Sequence, residues 1–324
     1  MAGGQERILR RRIKSVESTK KITRAMELIA ATRVVKAQDR AAAARPYSEQ
    51  ITGMILDLVK AGAGRAHPLL QSHPEANTTA IVVVTSDRGL CGAYNSTIIR
   101  MAEREVQDAL HDGRDYALYV IGKKAQTYFK FRGYKMEAVF LGVTDRPEYE
   151  QAREIGAAIR PRFEAGELAS VDIAYWKFLS VGVQEAVLRR FLPLQVDEEA
   201  STGPSADLEY EPSPSGILDE ILPRYVDSRI YSALLDASAS EHAARQRAMK
   251  AATDNAEELK TTLTRVMNRA RQDSITTEIM EIVSGAEALS SGKGHDEDLF
   301  PELLFPEHIF AQHLDPRDHT PSGH

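Results

Sequence analysis

Residues 217–288 read ILDEILPRYVDSRIYSALLDASASEHAARQRAMKAATDNAEELKTTLTRVMNRARQDSITTEIMEIVSGAEA. Within this tract Leu259, Leu263, Val266, Met267 and Ala270, then Ile275, Ile279, Ile282, Val283 and Ala286, recur at helical spacing. No glycine occurs from Ile217 to Ser284, and Pro223 is the only proline. The tract therefore predicts a helix of about 70 residues, roughly 105 Å long at about 1.5 Å per residue. Such a helix needs a partner of comparable reach, and the other end of the chain offers one. From Arg7 to Val59, Leu9, Ile13 and Val16, then Ile22, Met26 and Ile29, then Ile51, Ile55 and Leu58 repeat at four and three. The uneven spacing between these groups predicts a locally distorted antiparallel coiled coil. Its rival is a pair of short-helix bundles broken at Pro46 and Pro223. Strong helix formers around both prolines favour a kink over a break.

Between the two tracts the pattern changes period. A loose segment, Gly62 to Thr79, leads into the apolar run Ala80 to Thr85, which reads as a buried strand of a covered, mainly parallel sheet. A helix from about Ser96 to Leu110 follows, then a strand at Ala117 to Ile121, a short helix near Lys123 to Phe131 and a strand at Met136 to Leu141. Pro147 suits the first turn of a third helix that buries Ala152, Ile155, Ile159 and Phe163. Two last strands, Val171 to Leu179 and Glu185 to Leu194, are close enough for a hairpin on an antiparallel edge. Beyond Pro193 an acidic, turn-rich hinge ends at Ser213 and Pro214, a cap followed by a first-turn proline. The expected fold is a Rossmann-like α/β domain inserted between two long terminal helices that form an antiparallel coiled coil. Its expected parts are an N-terminal helix 1–61, an α/β domain 62–212, a C-terminal helix 213–289 and an acidic, His-rich tail 290–324.

Composition bounds the function. The 324 residues are 43% hydrophobic and 27% charged, a globular balance. No window approaches 18 uncharged apolar residues, which gives no transmembrane segment but leaves docking on a membrane complex open. A single cysteine, Cys91, excludes an internal disulfide framework and suits a reducing compartment. Residues 1–45 hold twelve Arg or Lys against four Asp or Glu, a balance of +8 that leaves −14 on the rest of a chain whose total is −6. A presequence is disfavoured because the helical pattern runs unbroken through residues 8–29 and Glu6, Glu17 and Glu27 interrupt the basic run. Direct nucleic-acid binding is disfavoured because residues 1–46 contain no aromatic side chain to stack on bases. A solvated helix face beside an acidic partner remains.

Catalytic chemistry is scarce. The most site-like stretch is Ser86-Asp87-Arg88-Gly89-Leu90-Cys91-Gly92-Ala93-Tyr94-Asn95, directly after the first strand and before a helix, where open α/β sheets bind ligands. Its glycines do not match the dinucleotide fingerprint, and Gly122-Lys123-Lys124 lacks the rest of a phosphate loop. Cys91 has no neighbouring histidine to activate it. His67, His73, His111 and His242 are scattered, while five histidines crowd the tail beside Asp296, Glu297 and Asp298. The expectation is no catalytic residue, no cofactor and no metal site.

Lys21-Ile22-Thr23-Arg24-Ala25-Met26-Glu27, the Ser86 to Gly92 loop, Tyr210-Glu211-Pro212, Met249-Lys250-Ala251-Ala252-Thr253-Asp254-Asn255 and Arg271 to Ala286 together resemble the gamma subunit of rotary, F-type ATP synthase. The resemblance spans residues 1–289 and implies a non-catalytic rotor that couples proton flow to ATP synthesis. Its implied partners are the alpha and beta subunits of the catalytic hexamer, the epsilon and delta subunits and the membrane c-ring. Its implied place is the cytoplasmic side of a bacterial plasma membrane, as a peripheral subunit. Met26, Arg271, Gln272, Thr276 and Glu278 match positions that meet the hexamer, and Tyr210 and Glu211 match the foot near the c-ring and epsilon. Ser86, Asp87, Arg88 and Gly89 match the α/β-domain loop. Family members commonly stop shortly after the Ser284 to Ala288 motif, so residues 290–324 must leave the pore, fold back or project upward; contact with the top of the hexamer that modulates ATP hydrolysis is the hypothesis this raises.

Overall fold

The computed structural model describes residues 2–60, 67–194 and 213–291. The first helix, α1 (Ala2–Lys60), runs through Pro46 without ending, and the last, α5 (Pro214–Ser291), runs through Pro223. Neither proline is a break. Ser213 caps α5 as expected: its Oγ accepts from Gly216 N at 3.2 Å, and Pro214 takes the first helical position, where no N–H is needed.

The buried side of α1 is more regular than its apolar residues suggest. Ile13, Val16, Lys20, Thr23, Glu27, Ala30, Val34 and Ala37 are buried or half-buried, and the series continues through Ala41, Ala44 and Ser48 to Ile51, Ile55 and Leu58. Every step is three or four in strict alternation, the seven-residue period of a helix packed along its length. Ile22 and Ile29 lie off this series, 59% and 56% exposed. The expected irregularity came from following large apolar residues through a stretch where the seam instead takes Lys20, Thr23, Glu27, Ala30 and Ala37. Small side chains there let two backbones approach closely. On α5 the matching series is Met249, Thr253, Ala256 and Lys260, then Leu263, Met267, Ala270 and Ser274. Leu259 and Val266, expected on the stripe, are instead 43% and 48% exposed.

Contacts between the helices fix their sense. Lys20 pairs with Glu257, Thr253 Oγ1 donates to Thr23 Oγ1 at 2.8 Å, and Lys260 Nζ lies 3.5 Å from Glu17 Oε1. Numbers rise on one helix as they fall on the other, so α1 and α5 run antiparallel through this stretch. By compactness the chain divides into residues 13–261, which hold all of these contacts, and a second unit of residues 1–12 with 262–324.

A five-stranded sheet has the order β3-β2-β1-β4-β5, formed by β1 (Thr78–Val84), β2 (Asp115–Ile121), β3 (Ala138–Phe140), β4 (Ser170–Phe178) and β5 (Gln184–Leu192). The β1–β2, β1–β4 and β2–β3 pairs are parallel, and β4–β5 is the antiparallel hairpin edge. One face, with Ile81, Val83, Leu118 and Val120, is covered by α2 (Tyr94–His111) and α3 (Lys123–Arg132). The other face carries Val82, Val84, Tyr119 and Ile121. It is covered by α4 (Tyr149–Glu164) together with Ile51, Ile55 and Leu58 of α1 and Leu218, Leu222, Val226 and Ile230 of α5. The long helices thus contribute to the sheet's core as well as to each other. Pro147 does not enter the first turn of α4. Glu148, with extended backbone, is the cap, and its N–H donates to Gln151 Oε1 at 3.0 Å.

Two glycines are set by close approach. A Cβ on Gly122, at φ 97°, would lie 2.1 Å from the Thr85 carbonyl oxygen, and one on Gly156 would lie 2.2 Å from Asp227 Oδ1. The first lets the β2–α3 turn pass over the end of β1. The second lets α4 cross close to α5.

Candidate functional site

The Ser86–Gly92 loop stands at the C-terminal end of β1, as expected, but its polar groups are turned inward. Asp87 Oδ1 accepts from Lys123 N at 3.0 Å, at the start of α3, and Oδ2 accepts from Gly142 N at 3.1 Å and from Thr144 Oγ1 at 3.3 Å, beyond β3. One carboxylate therefore joins the ends of three adjacent strands and neutralises the positive end of a helix. Ser86 N and Oγ both donate to Asn95 Oδ1, at 2.9 and 3.0 Å. Gly89 offers its carbonyl to Arg245 of α5 at 3.4 Å, and Arg88 is exposed. Cys91 is buried, its Sγ held by Asn95 Nδ2 at 3.2 Å, and burial pushes the thiol's pKa up, away from the thiolate a nucleophile requires. The loop is a knot that ties strands, helices and α5 together.

Beside it lies a cluster the sequence did not single out. Asp145, Glu241 and His242 bring one ligand-type atom each within 4.8 Å of the others, donors that suit a divalent cation. Two guanidinium groups already occupy them. Arg33 pairs with Asp145, and Arg245 Nη2 lies 2.7 Å from Glu241 Oε1. Two carboxylates matched by two arginines leave no net negative charge to attract a metal, so these residues fit an ion-pair network and not a metal site. The Glu241–Arg245 pair is buried, and removing either partner would strand the other's charge at about 3–5 kcal/mol.

The His242 tautomer follows from its neighbours. Arg245 can only donate, so Nδ1, 3.5 Å from Nη1, accepts; Nε2 then carries the proton and donates to the Asp145 carbonyl at 3.3 Å. Burial lowers its pKa to about 4, so the 3.8 Å approach of Nε2 to the Asp145 carboxylate is not an ion pair near neutral pH. The signal that could have found this cluster is the i, i+4 pair Glu241 and Arg245 on the seam side of a helix, with Asp145 just past a parallel strand.

Of the positions expected to meet a hexamer, Arg271, Gln272, Thr276 and Glu278 are exposed and Met26 is half-buried. Thr276 Oγ1 donates to Gln272 O at 3.0 Å, within its own helix. From Ile275 to Leu289 every residue of α5 is exposed, including Ile279 at 54% and Ile282 at 72%. Tyr210, Glu211 and nearly all of the tail lie outside the described residues. The described residues also enclose cavities. One of about 600 Å³ is lined by Arg45, Tyr47, Tyr149, Lys177 and Asp236, and one of about 320 Å³ lies by Cys91, Trp176 and Arg247. No helix among the described residues is long and apolar enough to cross a membrane.

A family model described as ATP synthase matches residues 5–289. The ATP synthase gamma chain of Parafrankia sp. is 48% identical over 296 residues, covering 89% of this chain and 99% of that relative. The gamma chain of Mycolicibacterium smegmatis is 46% identical over 303 residues, covering 89% and 98%. A chain of the Euglena gracilis mitochondrial ATP synthase, in a structure with OSCP, F1 and c-ring, aligns with a TM-score of 0.62 at 17% identity over 92% of this chain and 99% of that one. A chain of the central stalk and c-ring of the Tetrahymena thermophila enzyme aligns at 0.55 with 23% identity, over 71% and 99%. The two structural likenesses speak to the fold. With the family model and the close relatives spanning nearly its whole helical and α/β length, the chain belongs to the gamma-chain family of F-type ATP synthase.

Proposed function

We propose that this chain is the central rotor shaft of a proton-translocating ATP synthase. In this role α1 and α5 form an antiparallel coiled coil, and its upper end sits within a hexamer of alpha and beta subunits. The α/β domain, with the epsilon subunit, sits on the membrane c-ring, delta joins the same complex, and the whole lies on the cytoplasmic face of a bacterial plasma membrane. The chain itself is non-catalytic and transmits torque.

The observation that carries this reading is the end of the seam on α5. The three-and-four series stops at Ser274, and the next fifteen residues, rich in isoleucine, are exposed on all sides. A helix with isoleucines exposed around it and no cover from the described residues calls for an external surface, which the lining of a pore supplies. Arg271, Gln272, Thr276 and Glu278 would meet the hexamer there, with Met26 on the neighbouring helix, and Tyr210 and Glu211 would lie at the foot. The inward-turned polar groups of the Ser86 loop agree with a domain that holds parts together.

Magnitudes set how the load is shared. Three or four charges crossing ~120 mV release roughly 10 kcal/mol per ATP, whereas one exposed ion pair is worth about 0–1 kcal/mol. Torque must be spread over many contacts. The test is copurification: the chain should be recovered with alpha and beta subunits, one copy per three catalytic chains. Recovery of the chain alone from cells that assemble the hexamer would overturn the proposal.

A further inference from the structure

In a doubly wound sheet the loops beyond the parallel strands usually receive a ligand. Here those loops are gripped by the two long helices. Asp145, on the loop after β3, is held from both sides. Arg33 of α1 pairs with its carboxylate, while Ser238 Oγ and His242 Nε2 of α5 each donate to its carbonyl at 3.3 Å. A second grip lies on the loop after β1, where Arg245 Nη2 reaches the Gly89 carbonyl at 3.4 Å. Asp87 joins these two loops to each other and to the start of α3 through Thr144, Gly142 and Lys123. Any displacement of either helix is therefore passed to three strands at once.

We propose that Arg33, Asp145, Glu241, His242 and Arg245 form a torsional clamp, the joint through which twist passes between the paired helices and the α/β domain. This rests on the rotor function proposed above. A joint that resists twist needs directional contacts at more than one point, shielded from exchange with water. Glu241, His242 and Arg245 are 2%, 1% and 8% exposed, and their bonds run to two different loops. The hydrophobic attraction where Ile230 and Ala233 meet the sheet is non-directional, whereas hydrogen bonds and ion pairs hold a set orientation. The buried pair Glu241–Arg245 holds the Arg245 fork in place, so that Nη1 meets His242 and Nη2 meets Gly89. These are positioning residues.

The experiment compares three variants of the full chain in the assembled complex. Arg33→Asp reverses one charge of the half-exposed outer pair. Arg33→Asp with Asp145→Arg exchanges both. Glu241→Leu with Arg245→Met replaces the buried pair by apolar side chains of similar volume, a replacement that such pairs tolerate in stability. Amide hydrogen exchange at residues 86–92 and 142–146 is measured on each chain alone. Protons pumped per ATP hydrolysed are measured in the complex after subunit stoichiometry is checked.

Arg33→Asp and the apolar double variant are expected to assemble, to speed exchange at both loops and to lower pumping per ATP about twofold to tenfold. The charge exchange is expected to restore both readouts. Faster loop exchange with unchanged pumping would overturn the clamp, since the network would then be packing alone. Failure of the wild-type chain to join the hexamer would instead sink the rotor function and leave the loop measurements standing.

Discussion

Asp236 and His242 sit on the same helix and burial shifts them in opposite directions. Burial raises the Asp236 carboxyl to about 6 despite Lys177, Arg189 and Arg45 nearby, while burial lowers His242 to about 4. Between about pH 4 and 6 the folded chain keeps a proton on Asp236 that the unfolded chain has lost, so this group's contribution falls as pH rises. His242 acts in the opposite sense. Its neutral burial stabilises fully above about pH 6.5, and that contribution is lost as pH falls toward 4. The two slopes oppose each other in the wild type. Asp236→Asn should add about 1–3 kcal/mol at pH 7.5 and make the slope of stability with pH between 4 and 6 more positive than in the wild type. His242→Gln should leave it falling over about pH 4–6. Urea unfolding at a series of pH values reads both, and an unchanged slope in His242→Gln would contradict the buried, neutral histidine. Neither group was legible in the sequence. Burial shifts each, and the charges that oppose it, Lys177 and Arg189 for Asp236 and Asp145 for His242, lie more than 45 positions away in the chain.

At the scale of elements, the two helices and the alternating α/β middle were readable, because periods of 3.6 and 2 are written locally. The hairpin edge and the Ser213 cap were readable for the same reason. The phase of the seam was not. Thr23, Glu27, Ala30 and Ala37 carry little apolar signal, whereas Ile22 and Ile29 carry a strong one and face outward. Only the partner helix decides which side is inside. A pair of truncations tests the phase: Val34→Ala should cost about 2 kcal/mol as a buried apolar deletion, and Ile22→Ala should stay within about 0.5 kcal/mol. Reversed values would place the seam on the other side of α1. In mid-helix, Met267→Pro should cost about 3 kcal/mol or more locally and bend α5. Wild-type ATP synthesis by that variant would refute the need for a stiff shaft.

For the whole molecule, sequence motifs identified the family, and the α/β loop that resembles an active site proved to be a fastening. That reversal could not be read from Ser86 to Gly92 alone, because Asp87 finds its partners at residues 123, 142 and 144 and Gly89 finds Arg245. Load spread over many contacts implies graded loss. Arg271→Ala or Gln272→Ala is expected to weaken coupling while rotation persists, and complete loss of ATP-driven rotation from one such change, with assembly intact, would contradict it. The most direct measurement attaches a probe to the α/β domain of the assembled complex through Phe131→Cys, a site 87% exposed in a chain whose one native cysteine is buried. With the hexamer fixed to a surface and ATP supplied, the probe should turn continuously in one direction. A stationary probe on complexes that hold the chain and hydrolyse ATP at full rate would show that the chain is not the rotor.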